Sequence, residues 1–292
     1  MVLWVMSFPP SANLAGVVVG GGAPVVVMGV INVSPESFHS GSVYRETGAL
    51  VDAARAMVEA GAALIDVGAR STAPYLETEI SEEDEARRLA TAVDALVAKL
   101  PVPVSADTCR PGPARAALES GARIVNDVHG LRDQALARLA AEHEAGIIAM
   151  AFPEPADAVV DDGSVAGTRT LLAACLDRAR RAGIPDERVV LDPGIGFFRD
   201  GSLSWDQRDV LVLAGLRALS GLGRPLAVGV SRKSFIGAIT GRTATADRLA
   251  GSLAATALAV VNGAALIRTH DVAETVDAVR VAERISRVSA DA

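Results

Sequence analysis

Short apolar runs, each ending in a polar or glycine-rich cluster, recur about eight times along the chain. Residues 25–31 lead into Asn32, 64–67 into Gly68-Ala69-Arg70-Ser71-Thr72, 104–106 into Asp107-Thr108, and 124–125 into Asn126-Asp127. Residues 147–150 end near Phe152-Pro153, and 189–191 at Asp192-Pro193-Gly194. The last two runs, 226–230 and 266–267, end at Ser231-Arg232-Lys233-Ser234 and at Arg268-Thr269-His270-Asp271. Between them lie segments with helical spacing. Leu50, Val51, Ala54, Met57 and Val58 fall on one face before Gly61. Ser81 with Asp84 forms a capping pattern ahead of a Leu89, Val93, Leu96, Val97 stripe. Further helices are predicted from Pro111 to near Gly121 and over 134–143, 171–181, 209–219, 247–261 and 272–285.

Eight strands alternating with eight helices predict an α/β fold, a single (β/α)8 TIM barrel. In such a barrel every polar cluster emerges at the same end of the sheet, where active sites are built. A doubly wound sheet would instead place a G-x-G-x-x-G fingerprint after its first strand, but Gly20-Gly21-Gly22 precedes that strand. Residues 25–292 therefore read as one barrel domain and 1–24 as an N-terminal extension. Residues 13–22 are expected to form a hairpin or loop over the barrel floor, turning at the three glycines.

Composition sharpens this picture. Half of the 292 residues are hydrophobic but only 3% aromatic, so the core is built from Val, Leu, Ile and Ala, as in parallel strands covered on both faces. A net charge of -7 excludes a general nucleic-acid surface. No apolar run approaches the roughly 20 residues of a membrane span, and no cationic leader precedes the first apolar stretch. Cys109 and Cys175 are too separated to suggest a disulfide framework. The expectation is a soluble, cytoplasmic protein with no membrane partner.

The strand ends carry the candidate chemistry. Asp192-Pro193-Gly194 alone is as well explained by a turn aspartate bonding its own backbone. Arg232, Lys233, Arg268 and His270 follow strands seven and eight, the usual phosphate site of this architecture, and are expected to form a local positive pocket. Asn32, Asp107, Asn126 and Asp127 form a ring of amides and carboxylates suited to the edge of a flat heterocycle. Taken singly, Asp107 reads better as a cap for the Pro111 helix than as a catalyst. The four histidines, His39, His129, His143 and His270, are scattered, which argues against a zinc site. A Mg²⁺ ion carried in by a phosphate ligand is compatible.

The ordered set 28–38 (MGVINVSPESF), Asp66-Val67-Gly68 with Ser71-Thr72, Asp107-Thr108, Asn126-Asp127, Asp192 to Phe197, Ser231 to Ser234 and Arg268 to Asp271 closely resembles the dihydropteroate synthase family. That resemblance runs from about residue 25 to the C-terminus and implies a barrel transferase of folate biosynthesis. Such an enzyme condenses 6-hydroxymethyl-7,8-dihydropterin diphosphate with p-aminobenzoate and expels diphosphate. By motif, Asp107, Asn126, Asp192 and Lys233 would bind the pterin, with Asp107, Asp192 and Lys233 carrying the catalytic electrostatics. Asn32, Arg268 and His270 would hold the diphosphate and its Mg²⁺, Asn32 as the metal contact. Thr72, Arg232 and Ser234 would complete the substrate site, Ser234 near the aminobenzoate carboxylate. A homodimer is implied as well.

Two loops depart from the family pattern. His39-Ser40-Gly41-Ser42 replaces Ser-Asp-Gly-Gly, and Arg70-Ser71-Thr72-Ala73-Pro74-Tyr75 replaces Glu-Ser-Thr-Arg-Pro-Gly. Ala73 cannot supply the donors of an arginine, and Arg70, three residues away, is expected to point elsewhere. These changes are compatible with an ordinary synthase, with a relative that takes a bulkier arylamine such as ribofuranosylaminobenzene phosphate, or with a pterin-binding paralogue lacking condensing activity. A Schiff-base aldolase using Lys233 and a pterin-dependent methyltransferase are competing classes on the same fold.

Overall fold

The computed structural model describes residues 10–33, 43–70, 80–152, 163–198 and 203–291. His39 to Ser42 and Thr72 to Tyr75 lie outside those residues. Eight parallel strands close into a barrel in the order β10-β3-β4-β5-β6-β7-β8-β9. They are β3 (Val26–Asn32), β4 (Leu64–Gly68), β5 (Val104–Asp107), β6 (Ile124–Asp127), β7 (Gly146–Met150), β8 (Val189–Asp192), β9 (Leu226–Val228) and β10 (Ala264–Thr269). The (β/α)8 reading of the apolar runs therefore holds.

Alternation along each strand divides the core in two. Val27, Ile65, Val67, Val104 and Val125 face outward against the helices. Val26, Met28, Leu64, Ile124, Ile148, Val190, Ala227 and Leu266 fill the barrel interior. The surrounding helices are α1 (Val43–Glu59), α2 (Glu82–Val97), α3 (Pro111–Glu119), α4 (Gln134–Glu142), α5 (Val165–Arg181), α6 (Trp205–Ala214), α7 (Leu216–Leu219), α8 (Ser234–Thr240), α9 (Leu249–Val261) and α10 (Val272–Asp291). Ser81 caps α2 as its spacing predicts, accepting the Asp84 N–H at 3.1 Å. The fifth helix starts six residues earlier than expected because Ser164 caps it at Gly167. Gly215 splits the expected sixth helix into α6 and α7. Helix α8, too short to show an apolar period, was not expected.

The N-terminal strands β1 (Ser11–Leu14) and β2 (Val17–Gly20) pair antiparallel. Their turn is at Ala15-Gly16, not at the three glycines. Both turn residues take positive φ, 54° and 96°, the geometry a two-residue hairpin requires, and Asn13 Oδ1 accepts the Gly16 N–H at 2.6 Å. The glycine run instead follows β2, where Gly21 N–H bonds the Pro10 carbonyl. The hairpin inserts Ala12, Leu14 and Val19 into the interior cluster. It thereby plugs the N-terminal end of the barrel and leaves the opposite end for chemistry. A methyl added at Gly146 would meet Leu14 Cδ2 at 2.8 Å, so the plug fits closely. Leu14→Ala is expected to lower unfolding free energy by about 2–5 kcal/mol; chemical denaturation with an unchanged midpoint would show that the hairpin is dispensable.

Candidate active site

At the C-terminal end of the barrel a cavity of about 240 Å³ gathers side chains from nearly every strand end. It is lined by Asn32 from β3, Arg70 beyond β4, Asp107 from β5, Asn126 from β6, Met150 from β7 and Asp192 from β8, with Ser231, Arg232, Lys233, Arg268 and His270 closing the circle. These groups are scattered through 240 residues of sequence, and only the barrel register brings them together.

Arg268 is the centre of the cavity floor. Its Nε donates to Asp66 Oδ2 at 2.7 Å and its Nη2 to Asp107 Oδ2 at 2.6 Å. Asp66 also accepts from Asn126 Nδ2 at 3.0 Å. Burial opposes the charge on Arg268, but the two carboxylates together hold its pKa above the ordinary guanidinium value. Asp107 responds the other way. Burial pushes its carboxyl up to about 7 against the pull of Arg268, and neighbouring Asp66 adds to the rise. Its Oδ1 is buried without a hydrogen-bond partner, an acceptor placed for a ligand N–H. The helix-cap alternative for Asp107 fails, because Arg110 is the N-cap residue of α3 and Asp107 points into the cavity.

Lys233 closes one wall. Burial, then Arg268, lowers its pKa to about 8, with Asp192 opposing. Its Nζ lies 4.2 Å from the Phe197 ring centre. Arg232, just before it, adopts a left-handed φ of 55°. That conformation is strained for a non-glycine residue and is held by the Ser252 hydroxyl on its N–H and by Arg248 on its carbonyl. Asp192 is raised by burial and tempered by the Gly194 N–H at 2.7 Å. Gly196 is needed beside it: its φ is 82°, and a Cβ there would meet Lys233 Cδ at 2.8 Å.

The expected positive pocket is far less positive than the sequence suggests. Arg232 forms a bidentate pair with Asp271, and burial with Arg268 nearby lowers His270 to about 4, so its imidazole is neutral near pH 7. Ser231 Oγ lies 3.0 Å from His270 Nδ1. Ser234 opens α8 and does not line the cavity. Asp127 turns away to cap its own loop, accepting from His129 and Leu131 N–H. Thr72 lies outside the described residues.

Sequence reasoning missed three buried supports. Asp66 belongs to the Asp66-Val67-Gly68 motif, but the sequence gives it no role; in the structure it carries no exposed surface. Glu85, inside the acidic first turn of α2, accepts from Thr108 Oγ1 at 2.6 Å and from Arg110 at 3.0 Å, and lies 3.8 Å from Arg70. It holds Arg70 against Cys109, and Arg70 lines the cavity rather than pointing elsewhere. Arg208, almost fully buried in α6, bonds the Pro193 carbonyl at 3.1 Å and stacks on Phe198, while Asp209 accepts the Gly196 N–H at 2.9 Å. Together they brace the loop after β8. A charged Arg-Asp pair inside an apolar helical stretch was the available signal.

A family model described as a pterin binding enzyme matches residues 28–270. The chain belongs to the dihydropteroate synthase family of pterin-binding barrels. The dihydropteroate synthase of Synechocystis is 35% identical over 285 residues, covering 96% of each chain. That of Escherichia coli K12 is 36% identical, covering 88% of this chain and 90% of its own. Among solved structures, Xanthomonas albilineans dihydropteroate synthase with 4-aminobenzoic acid superposes with a TM-score of 0.82 at 38% identity, covering 95% of this chain and 98% of that one. The same enzyme in complex with 7,8-dihydropteroate gives 0.81 at 36%, with 94% and 98% covered. Family membership and barrel fold agree with the resemblance read from the strand-end motifs.

The buried carboxyls make stability depend on pH. Asp107 titrates near 7 in the folded chain against about 3.9 when unfolded, so its contribution is lost as pH rises from about 4 through 7. Asp107→Asn removes that loss. Its Tm relative to the parent chain is expected to climb between pH 5 and pH 8; parallel profiles would contradict the raised pKa.

Proposed function

We propose that the chain is a dihydropteroate synthase joining 6-hydroxymethyl-7,8-dihydropterin diphosphate to p-aminobenzoate with release of diphosphate. The observation that carries this reading is the convergence of Asp107, Asn126, Asp192 and Lys233 in one cavity, with Asp107 Oδ1 buried and unpartnered. Carboxylate acceptors, an amide and an ammonium match the mixed N–H and carbonyl edge of a pterin. The Xanthomonas structures with 4-aminobenzoic acid and with 7,8-dihydropteroate support the arylamine as one substrate and the joined pterin-aminobenzoate as the product.

The chemistry follows from the placement of charge. Lys233 stays with the pterin edge, while Asn32 and the neutral His270 receive the diphosphate side of the substrate and Arg70 adds a cation on the adjoining wall. As the carbon–oxygen bond to diphosphate breaks, the methylene carbon becomes positive, and the pterin ring delocalises that charge. Asp107 and Asp192, fixed at the ring edge, stabilise it electrostatically. The arylamine nitrogen then attacks the methylene carbon and loses a proton, and its orientation in the cavity is the remaining requirement.

The donor set fits a Mg²⁺ ion that arrives with the diphosphate better than a resident metal. Among the described residues no group of three or more His, Cys, Asp or Glu is placed to hold a metal. Asn32, exposed at the cavity rim, would contribute one oxygen, and phosphate oxygens and water would supply the rest, as Mg²⁺ prefers. When bound, the ion neutralises charge on the leaving diphosphate.

The homodimer is supported by a second, apolar groove of about 440 Å³ between α6, α8 and α9. Ile239 and Leu258 are 64% and 62% exposed there, with Val210 beside them. A second copy of the chain is the proposed occupant. Buried free Cys109 and Cys175 accord with a reducing, cytoplasmic setting. No single helix among the described residues is long and apolar enough to cross a membrane.

Two measurements test these proposals. Diphosphate release from the pterin diphosphate should be fastest with p-aminobenzoate and fall at least about 100-fold in Lys233→Ala, on the scale of a lost electrostatic contact in a transition state. Faster release with ribofuranosylaminobenzene phosphate would reassign the acceptor, and pterin binding without release would leave a binding protein. For assembly, light scattering should show a dimer that Leu258→Glu converts to monomer; a monomeric parent chain would refute the interface.

A further inference from the structure

Asp66 does not line the cavity, yet three of its neighbours' roles depend on it. Its Oδ2 accepts from Arg268 Nε at 2.7 Å and from Asn126 Nδ2 at 3.0 Å, while the same guanidinium reaches Asp107 at 2.6 Å. Asp66 carries no exposed surface. Register explains the arrangement: β4 lies between β3 and β5, with Asp66 paired to Ser105 and Gly68 to Asp107. Asp66 is thus one step below Asp107 on the inner face of the barrel.

The amide of Asn126 is the informative partner. A side-chain amide has two faces of nearly equal shape and opposite hydrogen-bonding character. A carboxylate only accepts, so Asp66 tolerates the Nδ2 side of Asn126 and repels its Oδ1 side. The buried charge therefore selects one of two amide orientations and leaves Oδ1 and the second N–H of Asn126 for the cavity. The same oxygen, with Asp107, fixes the plane of the Arg268 guanidinium at the cavity floor.

We propose that Asp66 is a positioning residue that sets the donor and acceptor polarity presented to the pterin edge, acting through Asn126 and Arg268. This rests on the reading of the cavity as a pterin site. A structural role alone would need only a satisfied hydrogen bond at this place, whereas a positioning role needs the acceptor to be on residue 66.

Two variants separate these roles, with calorimetric binding of 6-hydroxymethylpterin as the readout and Tm measured in parallel. Asp66→Asn can offer Asn126 either an oxygen or an N–H, so the amide is released. Pterin affinity should fall about 10- to 100-fold, the scale of a lost hydrogen bond to a charged group. In an Asn126→Ala background the further loss should shrink to within about 3-fold, because interacting residues are not additive. The swap Asp66→Asn with Asn126→Asp restores a donor–acceptor pair inside the barrel with inverted polarity toward the ligand. It should recover Tm but not pterin affinity. Recovery of affinity in the swap, full additivity in the cycle, or normal binding by Asp66→Asn would each overturn the proposal. Should Asp66→Asn fail to fold, Asp66→Glu, which keeps the acceptor, decides in its place: affinity retained to within about 10-fold supports the proposal, and loss of binding with a normal Tm overturns it. Absence of pterin binding by the parent chain would instead defeat the reading of the cavity.

Discussion

One half-buried arginine shared by two buried carboxylates organises the mouth of this barrel. Arg268 ties β10 to Asp66 on β4 and to Asp107 on β5, reaching across the barrel mouth to strands that are not its neighbours. Removing one member of such a group leaves an uncompensated charge in a poorly solvated place, which is strongly destabilising. The arrangement therefore fixes where the cavity floor lies before any ligand arrives. Its members titrate unequally: the two carboxylates hold Arg268 charged, while burial, against the pull of Arg268, pushes Asp107 toward neutrality.

The rest of the site is built outward from that floor by paired supports. Arg208 and Asp209 brace the glycine-rich loop after β8, and Glu85 holds Arg70 against the β5 wall. Asp271 and Ser252 hold the left-handed Arg232 that precedes Lys233. Most cations near the cavity, Arg70 among them, are thus compensated by carboxylates, and Lys233 is the least committed. This charge balance suits a largely neutral heterocycle carrying an anionic tail, better than a purely anionic ligand would be suited.

Fold and site address were legible in the sequence because both depend on short-range pattern. Strand runs of Val, Ile and Leu ending in polar clusters can be seen without knowing what they contact, so Asn32, Asp107, Asn126, Asp192, Lys233 and Arg268 stood out. The roles of Asp66, Glu85 and Arg208 are not legible there, although Asp66 lies in the Asp66-Val67-Gly68 motif, since their meaning lies in partners elsewhere along the chain. Asp66 meets Arg268 across 202 positions, and no local period reports that. The hairpin turn is hard to place for a related reason: a run of three glycines is a conspicuous turn signal, and all three do take positive φ, but the strands pair across Ala15-Gly16, with Leu14 opposite Val17. The pocket is less positive than its residue types imply because Asp271 pairs Arg232 and burial keeps His270 neutral.

The central claim is that the cavity recognises the heterocycle itself, with the charged tail as an addition. Calorimetric titration of the parent chain with 6-hydroxymethylpterin, which lacks the diphosphate, tests it most directly. Saturable one-to-one binding that Asp107→Ala abolishes is the expected result. Binding of inorganic diphosphate with no measurable binding of the pterin would contradict it.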